Sequence, residues 1–285
     1  MEVMCERRNP FTFLMVSTAV HTFGFLILSI ALFLRLYHEI NKPKQDYFTK
    51  FAYSFKYLNS LNALMQSIYH LIALTVDIMI SCSYTMDAPP GCVEVRAFIR
   101  SAFAIPIGTF NCIAYWALSL KSADLLVKSE YPLWLRHTLY TMVPIILFFD
   151  VISCKGDSVN VIIAMCMLGI SSFLFLIWLH LIYHFTGVWA ISFLKNLTLP
   201  QKLASYVFFV LVEYAFFLVG KLFNDLLWDE EFVSGLPFLR KYVSVPPRFI
   251  FGKPSVNSAK LKRLLSRTGS MFVDRPKKTN KGNKI

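Results

Sequence analysis

The sequence predicts an all-α polytopic membrane protein, a bundle of about six transmembrane helices. Hydrophobic residues make up 56% of the 285 residues and charged residues 16%, which is more apolar than soluble domains usually are. The apolar residues form six blocks, each long enough for the roughly 20 residues that a membrane-crossing helix needs. These blocks are 11–36, 57–82, 97–120, 132–153, 159–184 and 203–228. No small-residue cleavage site follows the first block, so we expect a retained span rather than a signal peptide.

Positive charge is concentrated at the C-terminus. Residues 235–285 hold 13 Lys and Arg against one acid, so the formal net charge of +12 belongs to this part of the chain. The positive-inside rule therefore predicts a cytosolic C-terminus, and six spans put the N-terminus on the same side. The basic loop 37–56 favours the opposite orientation, and the larger charge of the tail outweighs it. The predicted organisation is a short segment 1–10, a membrane bundle 11–230 and a basic, flexible cytosolic tail 231–285.

One partner follows from this distribution. Anionic lipid headgroups are expected to bind the tail, whereas nucleic acid is not, because the anionic leaflet is nearer. Within the tail, Ser258–Arg267 fits a surface-lying helix, and a disordered, solvated segment fits the composition equally. The tail residues expected to contact headgroups are Lys260, Lys262, Arg263 and Arg267.

No metal or cofactor is expected. The six cysteines show no CxxC pattern and no zinc-ligand spacing. His180 and His184 are four residues apart and share a helix face, but no third ligand accompanies them.

The second apolar block carries a polar stripe. At about 100° per residue, Asn59, Gln66, His70 and Asp77 fall on one helix face, with Asn62 beside them. Lipid cannot solvate such a stripe, so it must face other helices or a cavity. Interhelical hydrogen bonding is the simpler interpretation, but five polar residues along one face favour a cavity.

Further polar residues are predicted at the membrane level where this stripe begins. Arg136, His137 and Tyr140 lie in the first turns of the fourth span, and His180 and His184 lie near the end of the fifth. A belt of polar residues at headgroup level would account for these residues. It does not account for Glu213, Asn62 or Gln66, which lie deeper. We therefore predict a pocket that opens toward the lumenal leaflet.

Four segments of the sequence resemble one family in order and spacing. They read SFKYLNSLNALMQSIY, AFAIPIGTF followed by YW, WLRHTLYTMVP and YHFTGVW. Over about residues 54–229 the chain is similar to the androgen-induced proteins. The resemblance implies an intramembrane hydrolase that cleaves fatty acid esters of hydroxy fatty acids, with a Thr nucleophile in span 2 and a His in span 4. It therefore also implies an acyl lipid as a partner within the bundle.

This sequence departs from the family at both catalytic positions. The family's Thr aligns with Asn59 and its His with Tyr140. An amide has no hydroxyl to acylate, and a phenol with a pKa of about 10 is a poor base near neutrality. Ser60 is a possible replacement nucleophile, and His70 or His137 a possible replacement base.

The sequence thus supports two main functions. One is hydrolysis of lipid esters on an altered family scaffold, and the other is a non-catalytic, lipid-binding membrane regulator that acts through its pocket and basic tail. Transport along the polar stripe ranks third, because the two halves of the chain show no internal repeat. We expect an integral protein of the endomembrane system or plasma membrane, and the sequence does not decide the oligomeric state.

Overall fold

The computed structural model describes residues 10–41, 50–83, 91–121, 132–154, 156 and 159–228. All of them belong to one compact unit, Met1–Pro247. Six long helices dominate it, and the described residues form no strand. They are α1 (Pro10–Ile40), α2 (Leu58–Cys82), α3 (Cys92–Ile99, continued by Arg100–Ala104 and Ile105–Lys121), α4 (Leu133–Tyr140 continued by Met142–Ser153), α5 (Val161–Thr186) and α6 (Leu199–Trp228).

All six helices are long and apolar enough to cross a membrane. The predicted all-α, six-span fold is therefore confirmed.

The two faces of helix α2 differ in exposure and in polarity. Leu64, Ile68 and Leu71 are exposed on one side, where lipid can solvate them. The predicted polar stripe is buried on the other side, from Asn59 through Asp77.

Helix α3 contains a π-helical turn just before a proline. Because Pro106 has no backbone N–H, a regular α-helix would lose one hydrogen bond there. The chain forms the wider turn Arg100–Ala104 instead, and π-helical turns occur mostly as single turns of this kind inside α-helices. The Ala104 carbonyl accepts a hydrogen bond from Gln66 Nε2 at 2.8 Å. A stripe residue of α2 is thereby fixed to the irregular part of α3.

Helix α4 is interrupted at Thr141, between its two segments. Pro144 again explains the break, because it cannot donate to the carbonyl four residues earlier, at Tyr140. Tyr140 consequently lies at the joint of the two segments.

The helices approach closely at two glycines. A Cβ atom on Gly24 of α1 would lie 2.7 Å from the His70 ring, and one on Gly108 of α3 would lie 2.7 Å from Gln66 Nε2. Both glycines therefore allow polar side chains of α2 to lie flat against a neighbouring helix. Leu28, Tyr69 and Val143 belong to the apolar core where α1, α2, α3 and α4 meet.

Several sequence predictions fall on residues outside the described ranges. They include the N-terminal segment 1–9 and the tail 231–285, with its residues Lys260, Lys262, Arg263 and Arg267. Cys82 and Cys92, which flank the loop after α2, are free thiols.

Candidate functional site

A cavity of about 910 Å³ lies between the helices, at the end of the bundle where α2, α4 and α6 begin. This volume is near the top of the range for sites that hold one drug-sized ligand, about 300–1,000 Å³. Apolar side chains of α3, α5 and α6 form much of the wall, among them Phe110, Phe175 and Phe209. The cavity therefore suits a ligand with a long apolar part.

One end of the cavity is polar. Its wall there includes Asn59, Asn62, Arg35, Arg136 and Tyr140. Glu39 also lies on this wall and is 3.2 Å from Lys56 Nζ, with both side chains buried. With Arg35, Lys56 and Arg136 against the single acid Glu39, this end carries a net positive charge.

Asn59 and Tyr140 are neighbours on the cavity wall. The Asn59 side chain lies against the Tyr140 phenol. The Tyr140 ring stacks on Tyr115 of α3, with ring centroids 3.6 Å apart. The two positions that the resemblance aligns with a nucleophile and a base thus meet in one place, but neither carries the family's side chain.

The structure does not bring the possible replacements to this cavity. Ser60 is fully buried, and its Oγ has no hydrogen-bond partner among the described residues. His137 stacks on Trp116 with ring centroids 5.1 Å apart. Its Nδ1 lies 3.2 Å from Thr141 Oγ1. Neither residue is among the described residues that line the cavity.

The deeper stripe residues also lie away from the cavity wall. Gln66 is fully buried between α2 and α3, where it donates to Ala104 O at 2.8 Å and to Asn62 Oδ1 at 3.3 Å. His70 is fully buried, with its ring centroid 5.8 Å from that of His21. Within the described ranges, neither ring nitrogen of His70 has a hydrogen-bond partner.

His180 and His184 point outward from α5, and both are exposed. His180 Nδ1 lies 2.8 Å from the Leu176 carbonyl, and its ring contacts Trp189 and Tyr206. The His184 ring lies against Phe185. Among the described residues, no group of three or more His, Cys, Asp or Glu has the arrangement of a metal site.

Glu213 lines the cavity from α6, midway along that helix. Ser172 of α5 lines it as well and donates a hydrogen bond to Glu213 Oε2. Ser171 also lies on the wall, and its hydroxyl donates to the Leu168 carbonyl at 2.7 Å. The same carbonyl lies 2.9 Å from Ser172 Oγ, but only Ser172 also reaches the carboxylate. Ser172 is therefore a cavity-lining hydroxyl in direct contact with a carboxylate.

A buried polar cluster lies at the other end of the bundle. His21 of α1 is at its centre: Nδ1 is 2.7 Å from Asp77 Oδ2, and Nε2 is 3.0 Å from Asp150 Oδ1. Arg96 donates to Asp77 Oδ1 at 2.9 Å, and Tyr69 donates to Asp150 Oδ2. This cluster connects α1, α2, α3 and α4.

Arg100 extends the cluster toward α6. Its guanidinium lies 3.8 Å from Asp150 Oδ1 and donates to the Cys154 carbonyl at 2.7 Å. It also donates to Asn224 Oδ1 at 3.1 Å. The sequence reasoning missed Arg96, Arg100 and Asp150. The sequence does contain a signal for these three residues. Two of them are arginines four residues apart on α3, and the third is an acid inside an apolar block, and such charges require buried partners.

Several cavity residues were also missed, and Asn111 and Ser172 show the reason. Asn111 and Ser172 are isolated polar residues within apolar stretches of α3 and α5, and both line the cavity. Single polar residues are common in membrane helices, so such positions become informative only when their neighbours are known.

The sequence model of the FAR-17a/AIG1-like protein family matches residues 16–225. The chain belongs to this family. The match covers all of α2 to α5 and most of α1 and α6.

Curated relatives agree with the family assignment. The chain is 24% identical to the human androgen-dependent TFPI-regulating protein over 227 residues, which cover 76% of this chain and 96% of the relative. It is 26% identical to the mouse protein of that name over 226 residues and 22% identical to the golden hamster protein over 223 residues. In both, the alignment covers 75% of this chain and 95% of the relative. No solved structure matches the chain.

Proposed function

We propose that this family member binds a single-chain acyl lipid in the cavity and does not cleave it at the positions aligned with the family's catalytic residues. The proposal is supported chiefly by the contact between Asn59 and Tyr140 on the wall of a largely apolar cavity. The resemblance implies a substrate class, fatty acid esters of hydroxy fatty acids. A scaffold that keeps the cavity but carries an amide and a phenol at its reactive end suits binding better than hydrolysis.

Chemistry argues against cleavage at these two residues. Acyl transfer needs a nucleophile and a base within hydrogen-bonding distance of each other. The Asn59 amide is not a nucleophile toward esters, and the phenol of Tyr140 is protonated near neutrality unless it is strongly activated. Ser60 is sealed within packed side chains, and His137 is held by Trp116 and Thr141.

Photo-crosslinking tests the binding proposal. The purified full-length chain, in nanodiscs of neutral lipid, would be irradiated with a photoreactive palmitic acid, and the labelled peptides identified by mass spectrometry. We expect labels on the cavity walls and competition by unlabelled palmitic acid. Ala114→Trp would fill the cavity and remove the labels, whereas Ala117→Trp, on the exposed face of the same helix, would keep them. Equal labelling of both variants would contradict the proposal.

A second candidate function is hydrolysis at Ser172, favoured by its hydrogen bond to Glu213 on the cavity wall. In this reaction Ser172 Oγ attacks the ester carbonyl while Glu213 accepts the hydroxyl proton. The proton then passes to the departing alcohol, and water releases the acyl group from Ser172. A hydroxyl beside a carboxylate is the minimum arrangement for such a step.

Labelling with a fluorophosphonate probe separates the two functions. If Ser172 is a nucleophile, the wild type is labelled, Ser172→Ala is not, and Ser171→Ala on the same wall remains labelled. An unlabelled wild-type protein that still crosslinks the fatty acid probe supports binding without cleavage. Labelling that persists in Ser172→Ala excludes this residue as the nucleophile.

The orientation in the membrane forms part of the proposal. With both termini in the cytosol, the polar end of the cavity faces the lumenal leaflet and the basic tail faces the anionic cytosolic leaflet. A regulator of this kind would couple an occupied cavity on one side to tail contacts on the other.

A further inference from the structure

We infer that the cavity holds a receptor for the ionised carboxylate of a long-chain lipid, formed by Asn59, Asn62 and Arg136 at its polar end together with Asn111 on the α3 wall. The inference rests on the proposed acyl-lipid binding and names the chemical group that is recognised. The recognised group is inferred from the hydrogen-bond donors on the cavity wall that have no partner among the described residues.

Three asparagine amides on the cavity wall have a nitrogen without a hydrogen-bond partner among the described residues. They are Asn59, Asn62 and Asn111, and their side chains are 3%, 1% and 5% exposed. Buried polar groups in folded proteins almost always have a partner. Three open donors on the wall of one cavity therefore indicate a ligand that supplies acceptors.

The direction of the Asn62 amide is set by its neighbours. Gln66 Nε2 donates to the Ala104 carbonyl, so the nitrogen of Gln66 must point toward α3. The same nitrogen donates to Asn62 Oδ1 at 3.3 Å, which requires the oxygen of Asn62 on that side. An exchanged oxygen and nitrogen at Asn62 would place two donors against each other. The open group at Asn62 is therefore a donor.

The charge at this end favours an anion. Arg136 lines the wall, and its Nε has no partner within the described part of the chain. Glu39 on the same wall is already paired with Lys56. A carboxylate accepts hydrogen bonds at both oxygens, with about four acceptor positions, and donates none. The open amides and the guanidinium on this wall are donors of the kind that a carboxylate needs, whereas an alcohol or ester offers fewer acceptors and no charge.

The substitutions at the aligned catalytic positions fit the same chemistry. Asn59 offers two N–H donors where the resemblance implies a hydroxyl nucleophile, and Tyr140 beside it offers a phenolic O–H. The apolar remainder of the cavity can hold one acyl chain. The volume of the cavity, about 910 Å³, suits a drug-sized ligand. A two-chain phospholipid is larger than that, so the volume favours a fatty acid.

Competition on the intact chain tests the inference. A photoreactive hexadecanol and the matching photoreactive palmitic acid would each label the protein in neutral nanodiscs. Palmitic acid, methyl palmitate, hexadecanol and lysophosphatidic acid would then compete with each probe. We expect palmitic acid to compete at roughly tenfold lower concentration than hexadecanol or methyl palmitate, the advantage of one strong charge-assisted contact.

Leucine variants locate the receptor, because leucine has nearly the shape of asparagine but no donor. In Asn59→Leu and Asn111→Leu, palmitic acid should lose roughly tenfold in potency while hexadecanol is unchanged. Labelling by the hexadecanol probe reports that the variant is folded. Arg136→Lys should retain more of the preference for the acid than Arg136→Gln does.

Each other outcome overturns a defined part of the argument. Equal potency of acid, ester and alcohol refutes the carboxylate receptor and leaves acyl-lipid binding intact. A loss of potency in the variants for all three ligands alike refutes it too, because the residues would then act only through the shape of the cavity. Stronger competition by lysophosphatidic acid would assign the site to a phosphate instead. No labelling by either probe refutes the proposed function itself.

Discussion

Replacing His21 with leucine removes the centre of the buried polar cluster without leaving a large void. Two contacts are lost, to Asp77 at 2.7 Å and to Asp150 at 3.0 Å. Asp77 keeps Arg96 at 2.9 Å, and Asp150 keeps Arg100 at 3.8 Å. Both carboxylates therefore lose one partner but keep an arginine and a hydroxyl donor, which is Ser17 for Asp77 and Tyr69 for Asp150.

The size of the expected loss in stability follows from the partners that the two carboxylates lose and keep. Breaking a buried ion pair by removing one partner costs about 3–5 kcal/mol. Because each carboxylate keeps a cationic neighbour, we expect the lower end, a free energy of unfolding reduced by about 3 kcal/mol. In a chain of this size each kcal/mol shifts the melting temperature by about 2–4 °C, so the expected loss is about 6–12 °C.

Thermal unfolding of the purified chain in detergent, followed by tryptophan fluorescence, measures this loss. Thr18→Val serves as the control, because the Thr18 hydroxyl donates only within α1, to Leu14 O at 2.7 Å, among the contacts described. A melting temperature of His21→Leu within roughly 2 °C of that control would refute the reasoning. It would mean that the carboxylates are satisfied without the histidine.

Three further predictions concern chemistry, topology and the tail. The double variant Asn59→Thr, Tyr140→His should hydrolyse a fatty acid ester of a hydroxy fatty acid faster than the parent does, because it restores both groups of the family pattern. Mass spectrometry of the product measures the rate, and no gain would contradict the alignment. A C-terminal tag should be digested by protease added to sealed microsomes, since the +12 tail favours the cytosol; a protected tag would reverse the topology. Residues 235–285 fused to a fluorescent reporter should bind anionic vesicles more tightly than neutral ones and lose that preference as salt rises; equal binding to both would exclude recognition of anionic headgroups.

The number of helices and the buried face of α2 could be predicted from the sequence because both depend on local patterns. A block of apolar residues is sufficient to indicate a span. The spacing of Asn59, Gln66, His70 and Asp77 is sufficient to place them on one face, and all four are buried. The sequence interpretation was less accurate about what this face contacts, because it joined these residues into one pocket. In the structure Asn59 lines the cavity, whereas Asp77 belongs to the cluster around His21.

The partners of these residues could not be predicted because they come from distant parts of the chain. Arg96 lies just before the third apolar block, where a headgroup-level position was the natural expectation. It is buried because it meets Asp77, which a helical period alone cannot show. Asp150 meets His21 across 129 residues of sequence. Angular position on a helix can be calculated from sequence, but the choice among neighbouring helices depends on packing.

The two ends of the bundle differ in how far their buried hydrogen-bond donors find partners within the described residues. Around His21, charged groups from four helices satisfy one another, as protein buried at membrane depth requires. Among the described residues, Arg100 Nε and the ring nitrogens of His70 are exceptions there. Arg100 nevertheless donates through its other two nitrogens, and the His70 ring is packed against Gly24 and the rings of His21 and Tyr69. The open amides of Asn59 and Asn111 instead face a cavity large enough for a ligand. The cluster is therefore best explained as a structural support, and the cavity as the place where an outside molecule completes the hydrogen bonding.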